Sequence, residues 1–152
     1  MPGYKGHIAG GIVVSIPLVY VFSSHATLFT ATTWFLFSIA GALFPDVDTK
    51  SKGQKWFYRI VVPVLFLFLL IKRFLSFTVL ALIAFLPLLV NHRGVFHRLW
   101  FVTLPPIAIV GFLTWYKIAY FRTASLLAVF FVAGAISHLV LDFGFSRTFK
   151  GL

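Results

Sequence analysis

At 152 residues, 61% of them hydrophobic and only 11% charged, the chain departs from soluble globular domains, in which about a quarter of residues are charged. Its formal net charge of +10 comes from 13 lysines and arginines against three acidic residues. These cations are scattered over short loops with no folded basic domain behind them, so nucleic acid is not an expected partner, and anionic lipid headgroups are. Composition thus predicts a single integral-membrane domain over residues 1–152, built as an all-α, polytopic transmembrane helix bundle.

Six apolar runs follow one another: Ile8 to Phe22, Thr27 to Phe44, Ile60 to Ile71, Phe74 to Val90, Leu99 to Tyr116 and Thr123 to Leu141. Several approach the roughly 20 residues that cross about 30 Å of hydrocarbon. The first is preceded by one lysine, Lys5, and followed by no small-residue cleavage site, so it reads as a span rather than a signal peptide. The third is short and extends back through Trp56, Phe57, Tyr58 and Arg59, with the aromatics suited to the interface and the arginine able to snorkel out. Residues 60–90 as one helix would run about 46 Å and hold Lys72 and Arg73 near the bilayer centre. A hairpin turning at that pair avoids the cost and is the predicted arrangement. Pro17, Pro63, Pro87, Pro105 and Pro106 fall inside spans, where kinks rather than breaks are expected. There is no cysteine, which excludes disulfides and thiolate metal sites.

Six spans place both termini on one face with the loops 45–59 and 91–98. That face carries Lys5, Lys50, Lys52, Lys55, Arg59, Arg93, Arg98, Arg147 and Lys150, against Lys72, Arg73, Lys117 and Arg122 on the other. Nine cations against four make the first face cytoplasmic by the positive-inside rule.

On this map the ionisable residues gather at the cytoplasmic span ends. His138 and Asp142 are four apart, so a helix projects both from one face within reach of a single cation; the alternative is a His–Asp hydrogen bond within the helix. Pro45 disfavours helix at Phe44, leaving Asp46 and Asp48 in a turn or extended segment, where a period of two points both carboxylates to one side. Two anions so placed repel unless a cation lies between them; the alternative is aspartate as a turn former. His92 and His97 are five apart and flank Gly94, which favours a turn, and Arg93 and Arg98 beside them are candidate clamps for an anionic substrate, as is Lys50. His7 opens the first span among Gly6, Gly10 and Gly11, and taken alone reads as an interfacial histidine. His25 falls on the far face with no carboxylate near it. Imidazole and carboxylate donors without sulfur suit Zn, Mn, Fe or Ni, with zinc the first expectation and Mn or Fe the alternatives.

Gly6-His7, "LFPDVD" at 43–48, "HRGVFH" at 92–97 and "GAISHLVLD" at 134–142 resemble, in order and across nearly the whole chain, the membrane-bound metal-dependent hydrolases of the YdjM type, described as LexA-binding inner-membrane hydrolases. The resemblance implies a prokaryotic, multi-pass protein of the cytoplasmic (inner) membrane, with His7, Asp46, Asp48, His92, His97, His138 and Asp142 as metal ligands. It also implies a distant likeness to zinc-dependent phospholipase C. One position departs: the family pattern H-R-G-x-x-H-S ends in serine where this chain has Arg98. Nothing in the residues reads as a partner for a repressor.

The expected function is therefore metal-dependent hydrolysis of a phosphoester such as a lipid headgroup, with Asp48 or Asp142 taking a proton from water and membrane lipids as partners. The alternative is a membrane protein that carries, senses or is merely braced by a metal or protons at the same residues. Ionisable groups gathered at one face favour the enzyme, since a transport path needs them at several depths.

Overall fold

The computed structural model describes residues 3–22, 24, 26–48, 52–89, 95–115, 119, 121–145 and 148. Six α-helices run along the chain: α1 (Tyr4–Phe22), α2 (Leu28–Leu43), α3 (Lys52–Leu70), α4 (Phe74–Leu89), α5 (Leu99–Trp115) and α6 (Phe121–Phe143). Two 3₁₀ turns join them, Phe44–Asp48 after α2 and Val95–His97 before α5. No strand occurs among the described residues, as the near-continuous apolar patterning requires where backbone polar groups must be satisfied within each segment.

Among the described residues four helical segments, Tyr4–Phe22, Leu28–Val47, Lys52–Leu70 and Phe121–Phe143, are long and apolar enough to cross a membrane. α4 and α5 are shorter apolar helices of 16 and 17 residues. Every proline expected inside a span lies within α1, α3, α4 or α5 without ending it. Hydroxyls in these helices fold back onto their own backbone, as Thr32 does to the Leu28 carbonyl at 2.8 Å and Thr103 to the Leu99 carbonyl at 2.9 Å.

The expected hairpin forms over residues 60–89. α3 ends with Lys72 in the left-handed region at φ 57°. The Arg73 N–H reaches the Phe68 carbonyl at 2.9 Å and the Lys72 N–H the Leu69 carbonyl at 3.2 Å, the two bonds of a Schellman cap. α2 begins at Thr27, whose hydroxyl oxygen accepts from the Thr30 N–H at 3.2 Å.

Of the two forms expected for the segment after α2, turn or extended, the structure takes the turn. Phe44–Asp48 is a 3₁₀ turn, not an extended strand, so the period-two argument that put Asp46 and Asp48 on one side fails there. Pro45 is tolerated because, with the α-helix already ended, its missing N–H removes no interior bond.

α1, α2 and α6 pack against one another. The closest approach is between α2 and α6. A Cβ placed on Gly41 would collide with the Phe131 carbonyl, and one on Gly134 with the Ser38 carbonyl, so glycine is required at both. Where neighbouring helices are no more apolar than lipid, such close backbone contact is what holds them. The Ser38 hydroxyl adds a bond to the Gly11 carbonyl of α1 at 2.8 Å. Nearer the 3₁₀ turns, Leu99 and Val102 of α5 pack on Ala135 and Leu139 of α6 with Phe44, Ile136 and Phe143 around them. Phe96 is buried against Phe44, ring centroids 5.5 Å apart.

Candidate metal centre

Alternating helix directions bring the start of α1, the end of α2, the start of α5 and the end of α6 to one end of the bundle. Each contributes a side chain that could hold a metal ion. His7 comes from the end of the first turn of α1, Asp46 from the 3₁₀ turn after α2, His97 from the 3₁₀ turn before α5, and His138 and Asp142 from consecutive turns of α6.

His138 stands at the centre and is fully buried. Its Nδ1 lies 2.7 Å from the Ala42 carbonyl, which can only accept, so Nδ1 carries the proton and donates. In the neutral imidazole that fixes the tautomer and leaves a lone pair on Nε2. Nε2 has no hydrogen-bond partner, and sits 3.4 Å from Asp142 Oδ2 and 3.7 Å from Asp46 Oδ1. A histidine whose far nitrogen is anchored on a backbone carbonyl while the other looks into a group of carboxylates is the usual arrangement of a metal-ligating imidazole.

The remaining ligands close around it. His7 Nε2 lies 3.5 Å from Asp142 Oδ1, and the His7 ring stacks on His138 with centroids 3.8 Å apart. His97 Nε2 lies 3.6 Å from Asp46 Oδ1. Two overlapping triads result, His7/His138/Asp142 and Asp46/His97/His138, each with its ligand atoms within 4.8 Å of one another. Four donors about 2.0–2.1 Å from a tetrahedral zinc stand about 3.3–3.4 Å apart. The observed separations of 3.4–3.7 Å lie near that spacing and beyond the 2.7–3.2 Å of ordinary hydrogen bonds.

Burial sharpens the point. Asp142 Oδ1 and His7 Nδ1, like His138 Nε2, are buried without a hydrogen-bond partner. Leaving such groups unsatisfied costs about 1–3 kcal/mol each, more for a charge, and a cation between His138 Nε2 and Asp142 removes most of that cost for those two. Asp46 is the most open member, with 22% of its side chain exposed, so the cluster communicates with the surroundings on its side.

The structure therefore brings together five of the seven expected ligands: His7, Asp46, His97, His138 and Asp142. His92 lies outside the described residues, and so do Lys50 and Arg93 of the expected substrate clamp. Asp48 ends the 3₁₀ turn, but its side chain lies outside the described residues. His25 also lies outside them. Arg98 is exposed at the head of α5, where its carbonyl accepts the N–H groups of Phe101 at 3.0 Å and Val102 at 3.3 Å. Two contributors were not singled out from the sequence. One is the Ala42 carbonyl that orients His138; the other is the Gly41/Gly134 crossing that brings α2 and α6 close enough for that bond. The run of small residues Ser38, Ala40, Gly41 and Ala42 is the signal that could have pointed to the crossing.

The family model described as YdjM inner membrane protein matches residues 1–149. No curated protein and no solved structure matches the chain significantly.

Proposed function

The chain belongs to the YdjM inner membrane protein family and is a multi-pass protein of the inner membrane, and we propose that it is a divalent-metal-dependent hydrolase acting on phosphoesters at the membrane surface. The observation that carries the reading is His138 Nε2, a buried, oriented lone pair with no partner but two carboxylates at 3.4 and 3.7 Å.

His7, His97, His138, Asp46 and Asp142 are the residues that would hold the cation, and their nitrogen and oxygen donors suit zinc first, then manganese or iron. When bound, such an ion supplies Lewis-acid polarisation of a phosphoryl oxygen and makes water a competent nucleophile near neutral pH. The protein's own part is to orient and to move a proton. Ala42 holds the His138 tautomer, and the His7 ring braces the His138 face. The two oxygens of Asp142 have different surroundings: Oδ2 faces His138 Nε2, while Oδ1 is buried beside His7 Nε2. One can serve the cation while the other takes the proton of the attacking water, the role also open to Asp48. Arg98 draws a substrate anion to the same end of the bundle, and Arg93 and Lys50 join it in this reading. A site at the ends of apolar helices meets lipid headgroups first, which makes a lipid phosphoester the favoured substrate. The excess of cations at this end sets it on the cytoplasmic side.

The test is metal content and hydrolysis of detergent-purified protein, wild type against His138→Ala and Asp46→Ala. The wild type is expected to hold stoichiometric zinc, manganese or iron and to cleave a phosphoester, and both variants to lose metal and turnover together. Metal-free, folded wild type would overturn the enzyme; metal retained in both variants would overturn the ligand assignment.

A further inference from the structure

Along α3, Lys55, Tyr58, Arg59 and Val62 follow the i, i+3, i+4, i+7 spacing that sets residues on one side of a helix. With Gln54 and Pro63 they line a surface groove of about 540 Å³. One end of it is cationic: Lys55 and Arg59 are both exposed, and the Arg59 guanidinium lies 5.9 Å from the centre of the Trp56 ring. Among the described residues neither has a carboxylate partner, since Asp46 and Asp142 are drawn to the histidines. Toward the middle of α3 the same side turns apolar, with Val62, Phe66 and Leu70 exposed by 56, 60 and 63%. Tyr58 forms a fixed wall, because its hydroxyl donates to the Ala84 carbonyl of α4 at 2.8 Å. Pro63 has no N–H, so the Arg59 carbonyl lacks its usual helical donor and offers an acceptor at the groove's polar end.

This end of α3 adjoins the metal centre. The Lys52 ammonium sits 4.1 Å from the centre of the Tyr4 ring, one turn before His7. Two cations a turn apart, followed by about 16 Å of exposed apolar helix from Arg59 to Leu70, match a phosphate joined to an acyl chain. A symmetric second copy of this chain would set like charges against each other, and free phosphate would leave the apolar half uncovered.

We propose that the α3 groove is a binding site for an anionic glycerophospholipid, with Lys55 and Arg59 on the phosphate and Val62, Pro63 and Phe66 along an acyl chain. The site rests on the membrane location and is independent of the metal and of hydrolysis.

The experiment is native mass spectrometry of protein released from nanodiscs of equimolar phosphatidylglycerol and phosphatidylcholine, with metal content read on the same samples. The wild type is expected to retain phosphatidylglycerol preferentially. The Lys55→Gln/Arg59→Gln variant should retain about 25-fold less, at about fivefold per cation, with metal content unchanged. Lys72→Gln/Arg73→Gln, at the opposite end of α3, and the charge-preserving Lys55→Arg should retain it as the wild type does. Equal retention of the two lipids by the wild type, undiminished retention by the double glutamine variant, or displacement by millimolar inorganic phosphate would each overturn the proposal.

Discussion

His138 and Asp142 illustrate how much a four-residue spacing decides and where it stops. Helical periodicity alone put both side chains on one face, and the structure holds His138 Nε2 and Asp142 Oδ2 3.4 Å apart. Periodicity could not say which imidazole nitrogen faces the carboxylate, because that depends on the Ala42 carbonyl of another helix, 96 residues earlier in the chain. His7 makes the converse case. Alone in the sequence it reads as an interfacial histidine, yet it is 2% exposed, stacked on His138 and 3.5 Å from Asp142. If Asp142 holds the cation, Asp142→Asn, which keeps shape and removes charge, should weaken zinc binding by more than about 100-fold while the protein still folds. A competition titration against a chromophoric chelator measures this, and unchanged affinity would remove Asp142 from the ligand set. The substitution separates charge from packing, since the amide can still fill the buried space.

Among the elements, the α2–α6 pair carries the positioning. Gly41 and Gly134 let the two backbones touch, and the Ala42-to-His138 bond follows from that contact. A Gly134→Val change would drive its side chain into the Ser38 carbonyl, so α2 and α6 must part; folded yield and metal content are expected to fall together. Gly111→Val in α5 is the matched control, because nothing lies within 4 Å of a Cβ there, and size-exclusion profiles should show it unchanged. Comparable damage from both substitutions would mean that helix propensity, not the crossing, is decisive. The α3–α4 hairpin was legible in the sequence from the cost of holding Lys72 and Arg73 at mid-bilayer. The form of the Phe44–Asp48 segment was not: Pro45 disfavours a continuing α-helix but does not choose between a 3₁₀ turn and an extended strand. Packing of Phe44 against Phe96 and Phe131 accompanies the tight turn, and those partners are 52 and 87 residues away.

At the level of the whole molecule, the helices bring the histidine and aspartate side chains to one end and leave apolar side chains toward lipid elsewhere. Exposed residues such as Tyr20, Leu28, Phe29 and Ile107 need no protein partner in a bilayer. If the cation-rich end is cytoplasmic, a reporter fused after Leu152 that works only inside the cell will be active, and one that works only outside will be silent. The opposite pattern would place the metal centre on the outer side and remove cytoplasmic phosphoesters as substrates. Composition, the lengths of the apolar runs and the placement of charges determined, without coordinates, that this is a helical membrane protein and that its acids and most histidines fall at span ends. Those are properties of the local chain and of its solvent, readable one segment at a time. Which of those residues meet, and through which atoms, was decided only by tertiary structure. Five side chains from four separate segments converge around a histidine seated where two glycines allow two helices to touch, and a contact between distant backbones leaves no periodicity in the sequence between them.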